Sequence, residues 1–513
     1  MMKIGFLFGA GAEISYGMPT GGTFALDIFR ENPKRSKEKF KQIREKIDPS
    51  TAYANNWLPG GFIDKNIGTF GRSVFENIIK DTVEHNRNKI INSLNNFDTI
   101  AEQTLNSFSE EDKTAVLKAI TNITGRSLGN MSMGQIISYR EEFKQGNNLF
   151  TSKYFSALLF AYKSIDKITN NEKSNLGKTI LAIMQLQIGA LSETLASQIN
   201  DSPFSKKDED IDLFDDLGDI IQLNHSLTGV SGLNYLLELP DLQKKDNGSY
   251  VVLFAQKLLE KFFSNVLDYK SLIDSNWHYL YCPRTEWSKF CKINIFLLTV
   301  RQYILDQCQN IDSNKKGYYD DLSEYEATHD FEVSAIATTN YTNLIKNRLA
   351  SFHIYFLNGS TELWYDPYIN VIGSEEELDK EEIHFKVPLM FTQSGTKPMT
   401  SIYMSKAYVN AYDAFDASDV ICSIGFGYNP DDEHINGLIR DLINKGKKLF
   451  IVLPKENNTI EEERQNYADK LKTIHAENIF ILQCDSNRQC DGKMWLEHLF
   501  DQYEALKSQD KME

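Results

Sequence analysis

The chain has 513 residues, with 55 Lys and Arg against 71 Asp and Glu, a net charge of −16 at pH 7, and 41% hydrophobic and 12% aromatic residues. That apolar content excludes a disordered polymer, and the length is too great for one small core, so two or three folded parts are expected. The acidic balance, with no clustered basic face to offset it, argues against direct nucleic-acid binding, and no apolar run approaches the roughly 20 residues that span a membrane.

The apolar start Ile4 to Phe8 is far too short for a signal peptide, which makes the cytoplasm the expected compartment. It reads instead as a buried strand that runs into Gly9-Ala10-Gly11. A glycine turn after a first parallel strand lets the backbone curl close to a phosphate and begin a helix, with bare amides facing the anion. No Gly-x-Gly-x-x-Gly with a following ribose-binding acid is present, so a dinucleotide oxidoreductase is disfavoured.

From about residue 25 to 330 the apolar spacing is helical. Tyr154, Leu158, Tyr162 and Ile165 follow the three-and-four step of a helix with one apolar face, and so do Leu181, Met184, Ile188, Leu191 and Leu195. Leu253 to Leu267 and Ile293 to Leu305 are more apolar, which predicts deeper helices. Asn170 to Ser174 and the acidic run Lys206 to Asp219 are predicted surface loops.

Alternating strands and helices begin at Phe331. Val333–Ala337, Ile354–Leu357, Val387–Phe391, Val420–Ile424, Leu449–Leu453 and Ile479–Leu482, with the first strand, predict seven strands of one sheet. The expected fold is therefore α/β, a doubly wound, Rossmann-like parallel sheet interrupted by a large, mainly α-helical insertion. Residues 1–24 and 331–490 would form the sheet domain, 25–330 the insertion and 491–513 a C-terminal helix or tail. Cys282, Cys291, Cys308, Cys422, Cys484 and Cys490 contain no Cys-x-x-Cys pair, so they read as reduced, mostly buried thiols with no metal site.

Three further stretches place chemistry at strand ends, where doubly wound sheets bind ligands. Val333–Ala337 runs into Thr338-Thr339-Asn340-Tyr341-Thr342; alone, Asn340 reads as a cap for a helix beginning near Asn343. Ile354–Leu357 runs into Asn358-Gly359-Ser360. Val420–Ile424 runs into Gly425-Phe426-Gly427-Tyr428-Asn429-Pro430-Asp431-Asp432-Glu433-His434-Ile435. There the glycines permit close backbone approach, and Asp431 or Asp432 caps a helix with Ile435, Leu438, Ile439, Leu442 and Ile443 on its buried stripe. His434 alone reads as a solvated residue of that helix's first turn, and His353 lies at the wrong end of its strand for the same ligand.

In this order and spacing the four motifs resemble those of the sirtuins, and in particular of sirtuin-like NAD hydrolases of bacterial anti-phage defence. Gly9, Ala10, Gly11, Ser15, Gly17 and Pro19 match the family's Gly-Ala-Gly-x-Ser-x-Ser-x-Gly-Ile-Pro, with Glu13 in place of a serine and Thr20-Gly21-Gly22 in place of Asp-Phe-Arg. The resemblance implies NAD as substrate, bound by Gly9, Ala10, Gly11, Ser15, Pro19, Thr339, Gly425, Gly427, Asp432 and His434. Asn340 falls on the asparagine that holds the nicotinamide ribose and the attacking water. Asn358 stands where the family has its histidine general base, and Thr342 where it has an aspartate. An amide has no usable pKa, so Asn358 orients a ribose hydroxyl without taking its proton. The cysteines match no four-cysteine zinc module, which disfavours a deacylase. What is implied is an abortive-infection effector releasing nicotinamide and ADP-ribose, activated by a protein partner of the same defence system or by homo-oligomeric contact. The alternative is a catalytically impaired NAD- or ADP-ribose-binding regulatory subunit.

Overall fold

A computed structural model of the chain describes residues 2–19, 21–128, 148–191, 211–212, 222–223, 229–239, 244, 246–267, 270–312, 314–380, 382–390, 401–455 and 458–510. It divides into two compact units, one of residues 1–20, 31–70 and 272–513, the other of residues 21–30 and 71–271. Residues 31–70 and 272–330, read from sequence as part of one inserted body, thus belong to the sheet unit. Among their helices are Lys34–Lys46, Trp287–Gln309 and Tyr318–Glu326.

Nine strands of the sheet unit carry its architecture: β1 (Met2–Phe8), β2 (Phe331–Thr338), β3 (Ile354–Phe356), β4 (Gly359–Asp366), β5 (Val371–Gly373), β6 (Val387–Met390), β7 (Val420–Ile424), β8 (Lys448–Pro454) and β9 (Ile479–Cys484). Six of them form one all-parallel sheet in the order β9-β8-β7-β1-β2-β3. Counting sheet strands alone this is 3-2-1-4-5-6, the doubly wound arrangement whose direction reverses between β1 and β7. Helices on both faces demand apolar residues on both sides of a strand. Accordingly, β7 is buried throughout and β1 at every position except Lys3. Phe6 and Phe8 of β1 pack into a cluster with Tyr319, Cys422, Phe450 and Trp495. Trp495 opens the helix Trp495–Asp510, so the predicted tail belongs to the core. On the other face, the ring of Phe415 lies where a Cβ at Gly5 would stand, only 2.5 Å away, which is why that position is glycine.

The expectation of seven strands fails at Val387–Phe391. β6 is not in the parallel sheet; it pairs antiparallel with β4, which also pairs with β5. A fully buried four-residue run cannot say which sheet buries it, and Pro388 is tolerated because β6 lies at that sheet's edge. Sequence reading missed β4 because it starts directly at Gly359. Nor are all the cysteines free, since Cys484 and Cys490 form a disulfide. Cys282, Cys291, Cys308 and Cys422 are free, and burial pushes the Cys291 thiol up to about 12.

The second unit is mainly helical. Its axis is the helix Asn247–Val266, begun by a reciprocal cap between Asp246 and Ser249 and buried along Val251, Phe254, Leu258 and Phe262. The helices Gly21–Arg30, Phe97–Asn106, Glu110–Thr124 and Asn170–Leu191 pack on it. Asn170–Ser174, expected as a loop, forms the first turn of Asn170–Leu191, because Glu172 accepts hydrogen bonds from the Thr169 amide at 2.7 Å and hydroxyl at 2.9 Å. Of the acidic run Lys206–Asp219, only Ile211–Asp212 lies among the described residues, paired with Gln222–Leu223; Leu195 lies outside them.

Asp366, at the end of β4, holds a buried histidine. His384 Nδ1 is 2.6 Å from Asp366 Oδ2, its Nε2 is 3.6 Å from Glu382 Oε2, and its ring lies tilted against Tyr53 with centroids 4.1 Å apart; the Tyr53 hydroxyl accepts from the Phe385 amide. Burial opposes charge on this imidazole, yet the bond to Asp366 and the field of Glu382 outweigh it and raise its pKa. A folded-state pKa above the unfolded value of about 6.5 stabilises the fold at pH below that value, and the contribution is lost as pH rises through the folded pKa. Denaturant midpoints measured on either side of neutrality should therefore fall toward alkaline pH, and Asp366→Asn should flatten that dependence.

Candidate functional site

The four motifs leave the parallel sheet in one row. Phe8 pairs with Thr338 on one side and Ile424 on the other, and Thr338 pairs with Phe356. Gly9, Thr339, Gly425 and Leu357 therefore follow four neighbouring strands at the same level of the carboxyl edge, about 4.8 Å apart from strand to strand. The switch point between β1 and β7 lies inside the row.

At the switch point the glycines serve each other. The Gly9 amide donates to Ile424 O and the Gly11 amide to Gly425 O, each at 2.9 Å. A Cβ at Gly9 would stand 2.6 Å from Gly425 O, and one at Gly425 would stand 2.2 Å from the Ala12 amide; Gly425 also has φ +67°. The expected bare amides are thus committed to the protein at Gly9 and Gly11, because two loops pack backbone to backbone there. Ala10 stays exposed at the tip of the turn, and the segment that follows, Ala10–Tyr16, is a 3-10 helix. In the partner loop, Tyr428 is buried with φ +49°, a conformation costly for a bulky side chain.

Asn340 is not a helix cap. Its Nδ2 donates to Gly9 O at 3.0 Å and to the Tyr319 hydroxyl at 3.2 Å, while its own amide reaches Thr338 Oγ1 at 3.1 Å. Tyr319 donates in turn to Glu13 Oε1 at 2.9 Å, and Thr342 Oγ1 donates to the same oxygen at 2.6 Å. Glu13 is 2% exposed. Burial raises its pKa against the hydrogen bonds of Thr342, Tyr319 and Asn340, which lower it. The chain of bonds fixes the Asn340 side chain from beneath, so both of its amide protons have set directions.

At the other end of the row, Asn358 is buried and His434 Nε2 lies 3.4 Å from its Oδ1. His434 is the second residue of the helix Glu433–Asn444, so a residue arriving from the β7 side meets one leaving β3. The Tyr408 ring packs edge-on to the imidazole at 5.9 Å, and its hydroxyl donates to Leu357 O at 2.6 Å. Rather than a solvated first-turn residue, His434 is a partly buried member of the site. Asp432 occupies the cap position of its helix but makes no side-chain cap bond, and Ile435, Ile439, Leu442 and Ile443 are buried as expected while Leu438 is only partly so. Gly427 is half-buried in the loop. Ser15 bonds back to Ala12 O at 3.4 Å and lies against Gly317, and Pro19 is partly buried.

With this geometry in hand, the chain matches no family model, no curated protein and no solved structure. Among the described residues no group of three or more His, Cys, Asp or Glu side chains is placed to hold a metal ion. A cavity of about 220 Å³ lies elsewhere, within the helical unit, lined by Arg30, Lys257, Glu260 and Lys261 among others. None of the four motifs contributes a residue to it, so the strand-end row is the better candidate for chemistry.

Sequence reading missed Tyr319, Tyr408 and the role of Glu13. Glu13 carries a usable signal, being the only charged residue between Gly9 and Pro19. Tyr319→Phe should remove a donor from a buried carboxylate and an acceptor from Asn340, costing about 1–3 kcal/mol in denaturant unfolding. Gly425→Ala should cost more than Gly446→Ala, where φ is +91° but nothing lies within 4 Å of the new Cβ. The second variant isolates backbone strain of about 1–3 kcal/mol, and the excess in the first measures the loop-to-loop contact.

Proposed function

We propose that the sheet unit binds NAD+ along the carboxyl ends of β7, β1, β2 and β3 and hydrolyses it to nicotinamide and ADP-ribose. The alignment of the Gly-Ala-Gly, Thr-Thr-Asn, Asn-Gly-Ser and Gly-Phe-Gly motifs at one level of the sheet carries this reading. The carboxyl ends of adjacent strands at a switch point are where doubly wound sheets bind their ligands. Asn340 is held through both of its amide protons, which leaves its Oδ1 as the side-chain atom to accept from a ribose hydroxyl or a water. The biology proposed is abortive infection in bacterial anti-phage defence, in the cytoplasm, switched on by a protein partner of the same system or by self-assembly. Among the described residues no helix is long and apolar enough to cross a membrane.

One observation favours a second reading, a regulatory subunit that binds NAD or ADP-ribose without turnover: Asn358 stands where the resemblance places a base. Nicotinamide release and NAD+ binding by the full chain, with the partner supplied, separate the two. The hydrolase reading expects release that falls about 10²-fold in Asn340→Ala, as on loss of a positioning side chain. Binding without release would leave the regulatory subunit standing, and failure to bind would sink both.

A further inference from the structure

We infer that the two asparagines of this row turn opposite ends of their amides to the ligand, Asn340 its oxygen and Asn358 its Nδ2 donor, with His434 setting the sense of Asn358; the inference rests on the reading of the row as the NAD+ site. The two ends of an amide have nearly the same shape and opposite hydrogen-bonding character, so the end that faces outward decides what the residue recognises. Asn340 and Asn358 lie two residues beyond Thr338 and Phe356, which pair between β2 and β3, so they stand side by side at one level of the edge.

For Asn340 the inward groups are acceptors. Gly9 O takes one Nδ2 proton at 3.0 Å and the Tyr319 hydroxyl takes the other at 3.2 Å. Tyr319 can accept there because it spends its single proton on Glu13 Oε1, at 2.9 Å. Glu13 therefore dictates, through Tyr319, that the nitrogen lies inward and Oδ1 is left for the ligand.

For Asn358 the inward group is a donor. His434 Nε2 lies 3.4 Å from Asn358 Oδ1, and that oxygen only accepts, so Nε2 carries the hydrogen. The same holds for an imidazolium, with Asp432 buried two residues before it, since both of its nitrogens are donors. The bond is long, so it selects an end of the amide rather than clamping it. Tyr408 keeps the two residues together, its ring against the imidazole and its hydroxyl on Leu357 O, the carbonyl that precedes Asn358. Among the described residues no acceptor takes Asn358 Nδ2 and no donor reaches Asn340 Oδ1. The ligand group between them gives a hydrogen bond toward β2 and takes one from β3. The hydroxyls of a ribose do both, whereas an ionised phosphate only accepts.

Aspartate has the outline of asparagine with acceptors at both ends. The test therefore sets Asn340→Asp and Asn358→Asp beside Asn340→Ala and Asn358→Ala in the full chain, with denaturant midpoints and NAD+ affinity measured at neutral pH. At position 340 the new oxygen meets Gly9 O, Tyr319 and Glu13, so Asn340→Asp should have a lower midpoint than Asn340→Ala. At position 358 the inward oxygen keeps its donor, so Asn358→Asp should unfold no earlier than Asn358→Ala. It should also bind NAD+ about tenfold more weakly than the unsubstituted protein, as on loss of one hydrogen bond. With His434→Leu the same carboxylate has no donor, so the double variant Asn358→Asp/His434→Leu should unfold earlier than the two single changes together predict. Additive midpoints would overturn the role of His434. An Asn358→Asp protein that binds NAD+ as tightly as the unsubstituted one, or an Asn340→Asp protein as stable as Asn340→Ala, would overturn the assignment of that end. An unsubstituted chain that does not bind NAD+ would overturn the NAD+ reading and the ligand half of this inference, while the midpoints still decide which ends point inward.

Discussion

The close approach of two backbones between β1 and β7 is the constraint on which the site depends. Gly9, Gly11 and Gly425 have no side chains because each would occupy the space of the facing loop. In many doubly wound sheets glycines at this place open room for a phosphate. Here the room is used by the protein, and the two loops bond to one another through Ile424 O and Gly425 O. The two loops are thereby joined, and the candidate side chains stand to the β2 side of the joint, Asn340 after β2 and Asn358 with His434 after β3.

Much of this was legible in the sequence because it is local. A strand that ends on glycine, threonine or asparagine announces its own carboxyl end, and the parallel pairing of five predicted strands with β1 then fixes the row. What was not legible is held by contacts across the chain. Tyr319 meets Glu13 across 306 residues, and Tyr408 meets Leu357 across 51, with no periodicity to betray either. The strand Val387–Met390 was visible as a strand, but its sheet was not, since burial on both sides is common to central parallel strands and to a short edge strand under a helix.

Two departures from the sirtuin pattern turn out to touch. The sirtuin pattern has a serine in the first motif and an aspartate in the second; this chain has Glu13 and Thr342, and Thr342 Oγ1 donates to Glu13 Oε1 at 2.6 Å. Read one at a time, each substitution weakens the resemblance; in space they form one hydrogen-bonded pair next to the Asn340 side chain, and Tyr319 joins it as a second donor to the same oxygen.

β1 lies inside the sheet and is made before every other strand of it. Its neighbours β2 and β7 begin at residues 331 and 420. At a synthesis rate of about 5–20 residues per second, the strand Met-Lys-Ile-Gly-Phe-Leu-Phe leaves the ribosome some tens of seconds before any partner exists for it. Through that interval a short, apolar, uncharged-but-for-one-lysine edge is open to pairing with other chains. The helices of residues 71–271 are complete before β2 appears and rest on local contacts, so they fold while β1 waits. The switch-point geometry therefore leaves the row of strand ends unformed in the nascent chain until β7 has emerged.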